Sequence, residues 1–329
     1  MGGDRGPEMA ILGALAAVQE QNELSVILVG PRTVLEPQLT EKASGRSELL
    51  QRITIHHASD VITMDESPVD AVRKKKEATV VVGFDLVRNG QAKALVSAGN
   101  SGATMAAAVK KLGRLPGISR PGIASFFPTL KKPVMLMDIG ANVDCRPQHL
   151  YQFAVMASSC SRLLLDLEHP RIGLLSIGEE TGKGNALVKE AHELLKRSPL
   201  NFIGNVEGRD VYRGDVDVIV CDGFVGNISL KISEGLADAA MQMLKKEIMN
   251  TWRAKIGYLL IREAFAAFKK KVDYAEYGGA PLLGINGTGI ICHGASNAIA
   301  IRNAIEVAAN MVRNGVNDAI VRSLGEYAA

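Results

Sequence analysis

A loop between an apolar run and a helical segment combines glycines, a lysine and a threonine. The apolar run from Ile172 to Gly178 predicts a strand buried on both faces, because it shows no alternation of polar and apolar residues. A helix is predicted from Ala186 onwards. Gly182 and Gly184 open the backbone N–H groups to a ligand, and the helix start adds partial positive charge. With Lys183 between these glycines, the loop predicts a site for phosphate or another oxyanion.

The same loop lacks the pattern of a P-loop nucleotide site. Three residues separate Gly178 from Gly182, whereas a P-loop has about four between its first glycine and its Gly-Lys pair. Gly184 stands where a P-loop has the Ser or Thr that holds magnesium. Thr181 and Asn185 are suited to donate hydrogen bonds to an anion. We therefore expect this loop to bind phosphate without a nucleotide or a metal ion.

Four further Gly-rich loops with polar side chains follow predicted strands. They are the segments 99–102, 138–142, 222–227 and 293–296. Ligands of open α/β sheets bind at the carboxyl ends of the strands, so we expect all five loops at one edge of the sheet. Preorganised donors at such an edge suit the stabilisation of an oxyanion. The candidate residues in the four loops are Asn100, Ser101, Asp138, Asn142, Asp222, Gly223, Phe224, Asn227, His293 and Ser296.

Each of these loops also has a purely structural interpretation. Asn, Asp, Ser and Thr before a helix are common N-caps, Lys183 can be a solvated surface lysine, and His293 can be structural. Capping alone does not require glycine on both sides of the polar residue, so the repetition favours a site. Ser101 does not fit a nucleophile elbow, because Ala103 occupies the last glycine position of G-x-S-x-G.

The elements that position these loops recur in the order strand, Gly-rich loop, helix. This order predicts one α/β domain over residues 1–329, with a mostly parallel sheet and helices on both faces. An apolar fraction of 47% supports a full core, and a net charge of +3 with few aromatic residues gives no indication of nucleic-acid binding. The four cysteines form no C-x-x-C pair, and His and carboxylate residues show no metal-ligand spacing, so we expect no metal site.

Three further expectations concern particular segments. Residues 1–8 are typical of a strand-to-helix loop, and the strand expected before that loop would lie upstream of Met1. Residues 281–287 predict a loop or an edge strand. Residues 228–271 predict a long helical region with a break near Gly257.

The segment 245–277 is predicted as a basic amphipathic helical subregion of the domain. Basic residues alternate with an apolar arc, which suits contact with an anionic membrane or with an acidic protein. A dimer-packing helical hairpin with solvated lysines explains the same pattern. The residues predicted to face a membrane or a partner are Trp252, Arg253, Lys255, Ile256, Leu260, Phe265 and Phe268.

Several motifs occur together and in order along the chain. They are Met-Gly-Gly-Asp at 1–4, Gly-Asn-Ser-Gly-Ala at 99–103, Asp-Ile-Gly-Ala-Asn at 138–142, Gly-Glu-Glu-Thr-Gly-Lys-Gly-Asn at 178–185, Gly-Asn-Val-Glu-Gly-Arg-Asp at 204–210, Asp-Gly-Phe-Val-Gly-Asn at 222–227 and His-Gly-Ala-Ser at 293–296. The set resembles the PlsX-type phosphate acyltransferases of phospholipid synthesis, and the match covers essentially the whole chain.

The resemblance implies a reaction and its partners. Inorganic phosphate attacks the thioester of a fatty acyl–acyl carrier protein and gives acyl phosphate. The resemblance also implies a homodimer with a Rossmann-like three-layer α/β/α fold, a protruding basic amphipathic helical segment, no cofactor and no metal. It further implies that the protein is cytoplasmic and binds peripherally to the inner face of the membrane. A glycerol-3-phosphate acyltransferase would act downstream of it.

The resemblance also suggests roles for the candidate residues. We expect catalytic roles for Lys183, Asn185, Asp222 and His293, and the other loop residues, including Gly3 and Asp4, would bind substrate. Three alternatives stay open: a dehydrogenase, which lacks a clear G-x-G-x-x-G; a phosphate acetyl- or butyryltransferase that uses acyl-CoA; and a membrane-docking scaffold without activity.

Overall fold

The computed structural model describes residues 1–272 and 278–328, which form ten strands and twelve α-helices. The strands are β1 (Val26–Gly30), β2 (Ile53–His57), β3 (Ala94–Ser97), β4 (Gly122–Phe127), β5 (Val134–Met137), β6 (Ile172–Leu175), β7 (Phe202–Val206), β8 (Val218–Val220), β9 (Ala280–Leu283) and β10 (Thr288–Ile291). The first six helices are α1 (Pro7–Glu20), α2 (Arg32–Lys42), α3 (Ser47–Leu50), α4 (Pro68–Lys74), α5 (Thr79–Arg88) and α6 (Ser101–Leu112). The others are α7 (Pro147–Leu164), α8 (Ala186–Lys196), α9 (Gly223–Asn250), α10 (Trp252–Val272), α11 (Ala298–Arg313) and α12 (Val316–Ala328).

The strands form two separate sheets. Eight strands make the main sheet in the order β3-β10-β9-β4-β5-β8-β6-β7, and β1 and β2 form a parallel pair of their own. β9 is antiparallel to both of its neighbours and β4 is antiparallel to β5, while the remaining pairs are parallel. The expectation of an α/β fold with a mostly parallel sheet is confirmed.

Helices cover both faces of the main sheet. One core cluster joins the sheet to α7, α8, α11 and α12, and its largest fully buried members include Phe153 and Met156. A second cluster joins the sheet to α4, α5 and α6 through residues such as Phe84 and Ala107. A third packs α1, α2 and α3 around the β1–β2 pair. The layers are therefore helix, sheet and helix, as the resemblance implied.

The strand directions divide the Gly-rich loops between two edges of the main sheet. β3 and β10 run parallel to each other, and β5, β8, β6 and β7 run in the opposite direction, because β10–β9, β9–β4 and β4–β5 are three successive antiparallel pairs. The expectation that all five loops share one sheet edge is therefore wrong. The loops 99–102 and 293–296 lie at one edge, and the loops 138–142, 179–185 and 222–227 lie at the other.

Two segments differ from the expectations in their secondary structure. Ala280–Leu283 is an interior strand between β10 and β4, although Pro281 and the nearby glycines read as a loop or edge signal. The burial of Leu282 and Leu283 overrides that signal. The long helical region breaks at Thr251, which has an extended conformation, and Gly257 lies inside α10. The Thr251 hydroxyl oxygen accepts from the Ala254 N–H at 3.2 Å and so caps the new helix.

Candidate functional site

The anion loop, residues 176–185, connects β6 to α8. Asn185 is the N-cap of α8, where its Oδ1 accepts from the Val188 N–H at 2.9 Å. Gly184 has a φ of 97°, and a Cβ there would lie 2.7 Å from the Val188 Cγ1. Gly182 has no atom within 4 Å of its Cβ position. Lys183 is exposed, and its ammonium makes no ion pair with the residues that the structure describes. The loop thus presents a free positive charge beside an open backbone.

The anion loop is held in place from the end of β7. The Asn205 side chain donates to the Glu180 carbonyl at 3.0 Å, and its Oδ1 lies 3.0 Å from the His192 Nδ1. The Arg209 guanidinium lies 3.3 Å from a carboxylate oxygen of Glu179 and 2.9 Å from one of Glu207. These contacts explain why the 204–210 motif accompanies the loop. Sequence reasoning assigned Asn205 no role, although it lay within a quoted motif.

Asp138 organises the loop that follows β5. Its fully buried carboxylate accepts backbone N–H bonds from Ile123 at 3.1 Å, Gly140 at 3.2 Å and Ala141 at 3.0 Å. The backbone N–H and the side-chain amide of Asn142 both donate to its other oxygen at 2.8 Å. Burial raises the pKa of the Asp138 carboxyl, and these donors oppose that rise. These bonds make Asp138 hold the 138–142 loop in place, and its contact with substrate stays a prediction.

Helix α9 begins directly against this loop. The Asp222 Oδ1 caps the helix by accepting from the Phe224 and Val225 N–H groups, both at 3.0 Å. The Gly223 N–H donates to the Asn142 carbonyl at 2.7 Å, and a Cβ at Gly223 would lie 2.8 Å from that oxygen. A Cβ at Gly226 would clash with the backbone of Asp138. The absence of these side chains lets the N-terminus of α9 approach the 138–142 loop.

The exposed side chains at this junction are the ones left free for a ligand. Phe224 and Asn227 are exposed on the first turns of α9, and the Asn227 side chain lies beside Gly140, about 3.5 Å from the Cβ position there. Neighbouring strands lie roughly 4.8 Å apart, so β5 and β6 are about 10 Å apart across β8. Asn142, Asn227 and the anion loop therefore belong to one region of this edge.

The opposite edge gathers the N-terminal loop with the loops after β3 and β10. The Asp4 N–H donates to the Gly294 carbonyl at 2.9 Å, and a Cβ at Gly3 would lie 2.8 Å from the Ala98 carbonyl oxygen. Ser296 is buried and its N–H donates to the His293 carbonyl, while the His293 Nδ1 accepts from the Ala295 N–H at 3.1 Å. Gly3, Asp4, His293 and Ser296 therefore share one edge but not the edge of the anion loop.

Asn100 is occupied by structural hydrogen bonds. Its Oδ1 caps α6 by accepting from the Ala103 N–H at 2.9 Å. Its side-chain amide donates to the carbonyls of Thr63 and Met64, each at 3.2 Å, and to that of Glu66 at 3.3 Å. This pattern leaves the Asn100 side chain no donor for a substrate. In this structure the Asn100 side chain positions the 63–66 segment, and its role at a substrate stays a prediction.

A cleft of about 680 Å³ runs along α6 from Ser101 to Lys110, and residues of the 138–142 loop also line it. Ser101 and Gly102 line it on one side, and Gly140 and Ala141 line it on the other. The Ser101 side chain is exposed and makes no hydrogen bond with the described residues. Arg73 also lines the cleft and adds positive charge. The sequence analysis did not assign Arg73 to a site.

The cysteines are poorly suited to covalent catalysis. Burial, with the nearby carboxylates of Asp138 and Asp222, raises the pKa of the Cys145 thiol to about 11. Burial also raises the pKa of Cys160 and of Cys292 to about 12, and that of Cys221 well above its usual range. A thiol of such pKa is protonated at neutral pH and is a weak nucleophile. Among the described residues, no group of His, Cys, Asp and Glu is arranged to hold a metal ion.

Helix α10 packs against α9 and buries none of the side chains described in it. Leu260 is 82% exposed and Trp252 is 67% exposed, and the Arg253 guanidinium lies 5.4 Å from the centroid of the Trp252 ring. Ile256, Phe268 and Lys255 are exposed as well, whereas Phe265 is half-buried with its ring 5.4 Å from that of Tyr258. Residues 273–277 of the predicted 245–277 subregion lie outside the described residues. No helix among the described residues is long and apolar enough to cross a membrane.

Comparison with known proteins decides the family. A family model described as fatty acid synthesis protein matches residues 1–319. The chain belongs to this family. The phosphate acyltransferase of Syntrophotalea carbinolica is 54% identical over 325 residues, covering 99% of this chain and 92% of the relative. That of Trichlorobacter lovleyi is 53% identical over 326 residues, covering 99% of this chain and 93% of the relative.

The relatives and the solved structures agree with the family and its fold. A phosphate acyltransferase of Nitratidesulfovibrio vulgaris is 51% identical, and the match covers 98% of this chain and 93% of the relative's chain. The family resemblance and the expectation of an acyltransferase are therefore confirmed. The EutD phosphotransacetylase from Staphylococcus aureus shares the fold with a TM-score of 0.56 at 19% identity, covering 92% of this chain and 99% of its own. A branched-chain phosphotransacylase from Enterococcus faecalis gives a TM-score of 0.51 at 16% identity. The match covers 88% of this chain and 99% of the phosphotransacylase chain.

Proposed function

We propose that the protein transfers a long-chain fatty acyl group from acyl–acyl carrier protein to inorganic phosphate. The observation that carries this proposal is the anion loop, where the unpaired ammonium of Lys183 stands between Gly182 and Gly184 at the N-terminus of α8. A helix N-terminus, free N–H groups and a cation together favour a phosphate ion. The names of the relatives support phosphate as the acceptor.

The chemistry needs positioning more than activation. A phosphate oxygen attacks the thioester carbonyl carbon, the C–S bond breaks, and the sulfur leaves with its bonding electron pair. The hydrogen of hydrogen phosphate then goes to that thiolate, so that acyl phosphate and a free thiol are the products. Lys183 and Thr181 hold phosphate, and Ser101 and Asn227 are the donors proposed for the oxyanion, because the side-chain amide of Asn142 already donates to the Pro121 carbonyl and to Asp138.

Asn185, Asp222 and His293 have narrower proposed roles. Asn185 and Asp222 each use one side-chain oxygen to cap a helix, which fixes the backbone N–H groups that face the substrates. Gly184 and Gly223 also help to fix these N–H groups, because a side chain at either position would clash with its neighbours at the start of the helix. His293 lies at the other edge with Gly3, Asp4 and Ser296 and is proposed to contact the acyl donor.

The acyl donor is proposed from the surface of α9 and α10. α10 carries six basic residues and one acidic residue, and its exposed apolar side chains accompany them. Such a surface attracts acidic acyl carrier protein and an anionic lipid surface. We propose peripheral attachment to the cytoplasmic face of the membrane, and a homodimer that buries part of the same apolar surface. Acyl phosphate is proposed to pass to a glycerol-3-phosphate acyltransferase.

A short-chain phosphotransacylase is the second candidate. The fold of this chain resembles that of two phosphotransacetylases, which favours this candidate. These two proteins are less than 20% identical to this chain, however, so their activity is weak support. The extensive exposed apolar surface of α9 and α10 favours a long acyl chain instead. In a scaffold without catalysis, Lys183 would be an ordinary solvated surface lysine.

One assay separates these candidates. The protein is incubated with phosphate and either palmitoyl–acyl carrier protein or acetyl-CoA, and acyl phosphate is trapped with hydroxylamine. We expect hydroxamate from the palmitoyl donor and far less from acetyl-CoA. Product from acetyl-CoA alone would support the second candidate, and no product from either donor would support a scaffold.

A further inference from the structure

The cleft of about 680 Å³ lies between one face of α6 and one face of α4, and we call it the α4–α6 cleft. Its lining residues on α6 recur one helical turn apart, which places them on a single face of that helix. They are Ser101, Gly102, Met105, Ala106, Val109 and Lys110. From Ser101 to Lys110 this face extends over about 14 Å. The cleft is therefore elongated, and it suits an extended ligand.

The helices α4 and α6 run side by side in the same direction. A Cβ at Gly102, in the first turn of α6, would lie 2.7 Å from the Cγ of Pro68, the first residue of α4. Near the other end of both helices, the Lys110 Nζ donates to the Val72 carbonyl at 3.1 Å. Arg73 follows Val72 on α4 and also lines the cleft. One end of the cleft therefore lies at Ser101, and the other end lies at Arg73 and Lys110.

The two ends of the α4–α6 cleft carry different polar groups. Ser101, with its exposed hydroxyl, and Gly140 of the 138–142 loop line the first end, where the proposed function places the thioester. At the second end, the exposed Arg73 guanidinium makes no hydrogen bond or ion pair with the residues that the structure describes. The Lys110 ammonium uses one of its three N–H groups on Val72 and keeps two. The second end can therefore hold an anion.

The middle of the cleft is apolar and open to solvent. Val69 and Val72 line it from α4, and Met105 and Val109 line it from α6. Val69 is 63% exposed and Val109 is 36% exposed, so the cleft is a groove rather than a tunnel. A ligand in such a groove can pack its methyl and methylene groups on the valines while its polar groups stay in contact with water.

We propose that the α4–α6 cleft binds the phosphopantetheine arm of the acyl carrier protein. The carrier protein is the acyl donor of the proposed function, on which this assignment rests. The arm is a linear chain with a phosphodiester at one end, two methyl groups next to it and the thioester sulfur at the other end. The phosphodiester lies at Arg73 and Lys110, since guanidinium and ammonium groups both bind phosphate. The two methyl groups pack on Val69 and Val72.

This orientation places the thioester at the end of the cleft where the chemistry is proposed. The thioester carbonyl lies at Ser101, which is one of the donors proposed for the oxyanion. A fatty acyl chain in the same groove would place a methyl group, and not an anion, beside Arg73 and Lys110. The charges at the far end of the cleft therefore favour the arm over the acyl chain.

Two small ligands test the charged end of the cleft. They are 4′-phosphopantetheine and pantetheine, which lacks the phosphate, and their binding to the full chain is measured by NMR titration. We expect Arg73→Gln to weaken the binding of phosphopantetheine by about tenfold and to leave that of pantetheine unchanged. Lys74→Gln removes a neighbouring exposed charge that does not line the cleft, and it should behave as the wild type.

Side chains that fill the groove test its apolar middle. Ala106→Leu adds bulk between α6 and α4, and Val109→Phe does so at a more exposed position, where the fold tolerates it more easily. We expect each variant to weaken the binding of both ligands by about tenfold, because roughly two methylene groups lose their contacts. Ala240→Leu, at an exposed position of α9 away from the cleft, should leave the binding of both ligands unchanged.

Several results would overturn the proposal. The wild type might bind neither ligand, or Arg73→Gln might affect both ligands equally; either result would remove the phosphate site at Arg73. Loss of phosphopantetheine binding in Lys183→Gln but not in Arg73→Gln would place that phosphate in the anion loop. Unchanged binding by both Ala106→Leu and Val109→Phe would show that the arm does not lie in the groove. These ligands carry no acyl group, so a failure of acyl phosphate formation would leave the binding results unaffected.

Discussion

At the scale of single residues, the two glycines beside Lys183 have different roles. Gly184 has a positive φ and a crowded Cβ position, so the fold of the loop requires it. Gly182 has open space around its Cβ position and no such requirement. The open space at Gly182 is not required by the fold of the loop, and it lies next to Lys183, which makes no ion pair with the described residues. A bound anion would need such a space. The two positions therefore separate a structural from a functional glycine within one loop.

Alanine substitutions at these two glycines should differ in kind. Gly184→Ala forces a strained backbone and should destabilise the protein by about 1–2 kcal/mol. Gly182→Ala should leave the free energy of unfolding nearly unchanged but raise KM for phosphate, because the methyl group occupies the proposed ion position. Urea unfolding and initial-rate kinetics measure the two effects. Gly235→Ala, which also has open space at its Cβ but lies inside α9, should leave KM for phosphate unchanged. Equal loss of stability in both loop variants would contradict this distinction.

At the scale of elements, the starts of β6 and β8 are joined by an ion pair. The Arg171 backbone N–H donates to the Asp217 carboxylate at 2.8 Å, and the guanidinium donates to both of its oxygens at 2.9 and 3.0 Å. Burial alone would raise the pKa of Asp217, but the hydrogen bonds from Arg171 outweigh it and lower the pKa. The ionised carboxylate therefore stabilises the fold at neutral pH.

The lowered pKa of Asp217 fixes the pH dependence of its contribution. Its stabilisation is fully present above the pKa of an unfolded Asp, about 3.9, and is lost as pH falls through the lower folded value. Asp217→Asn should therefore destabilise the protein by a constant amount between about pH 5 and 8 and by progressively less below about pH 4. Denaturant unfolding at several pH values measures this. A difference between variant and wild type that stays constant through the acid range would contradict the assignment.

Elements were easier to predict from sequence than their arrangement. The strand β6 and the helix α8 behind it follow from local patterns and are confirmed, although β6 ends at Leu175 and not at Gly178 as predicted. The opposite directions of β3 and β5 depend on which strands pair, and no local pattern encodes that. The hydrogen bonds that occupy Asp138 and Asn100 could not be predicted, because their partners at Ile123 and at residues 63–66 are distant in the sequence.

At the scale of the whole molecule, α9 and α10 present a large exposed apolar surface. The stripe on α9 passes through Ile228, Ile232 and Leu236 at four-residue spacing, and it starts beside the exposed ring of Phe224. Leu260 of α10 is exposed as well. A surface of this extent marks contact with a membrane or another protein.

A charged substitution on α10 tests the membrane part of the proposal. Leu260→Glu should weaken co-sedimentation with vesicles that contain phosphatidylglycerol, because it removes apolar contact and adds repulsion. Leu194→Glu places the same change on α8, outside this surface, and should leave binding unchanged. Wild-type binding should also weaken with added salt. Equal binding by both variants, or no binding by the wild type, would contradict membrane contact through α10.

The central claim is that Lys183 holds the phosphate that receives the acyl group. Its most direct test is the initial rate of acyl phosphate formation by Lys183→Gln as phosphate is varied at saturating palmitoyl–acyl carrier protein. A hydrogen bond from a charged group is worth roughly 1.5–3 kcal/mol, so we predict a rise of about tenfold to a hundredfold in KM for phosphate. Lys189→Gln, on the exposed face of α8, should behave as the wild type. A folded Lys183→Gln enzyme with an unchanged KM for phosphate would contradict the account.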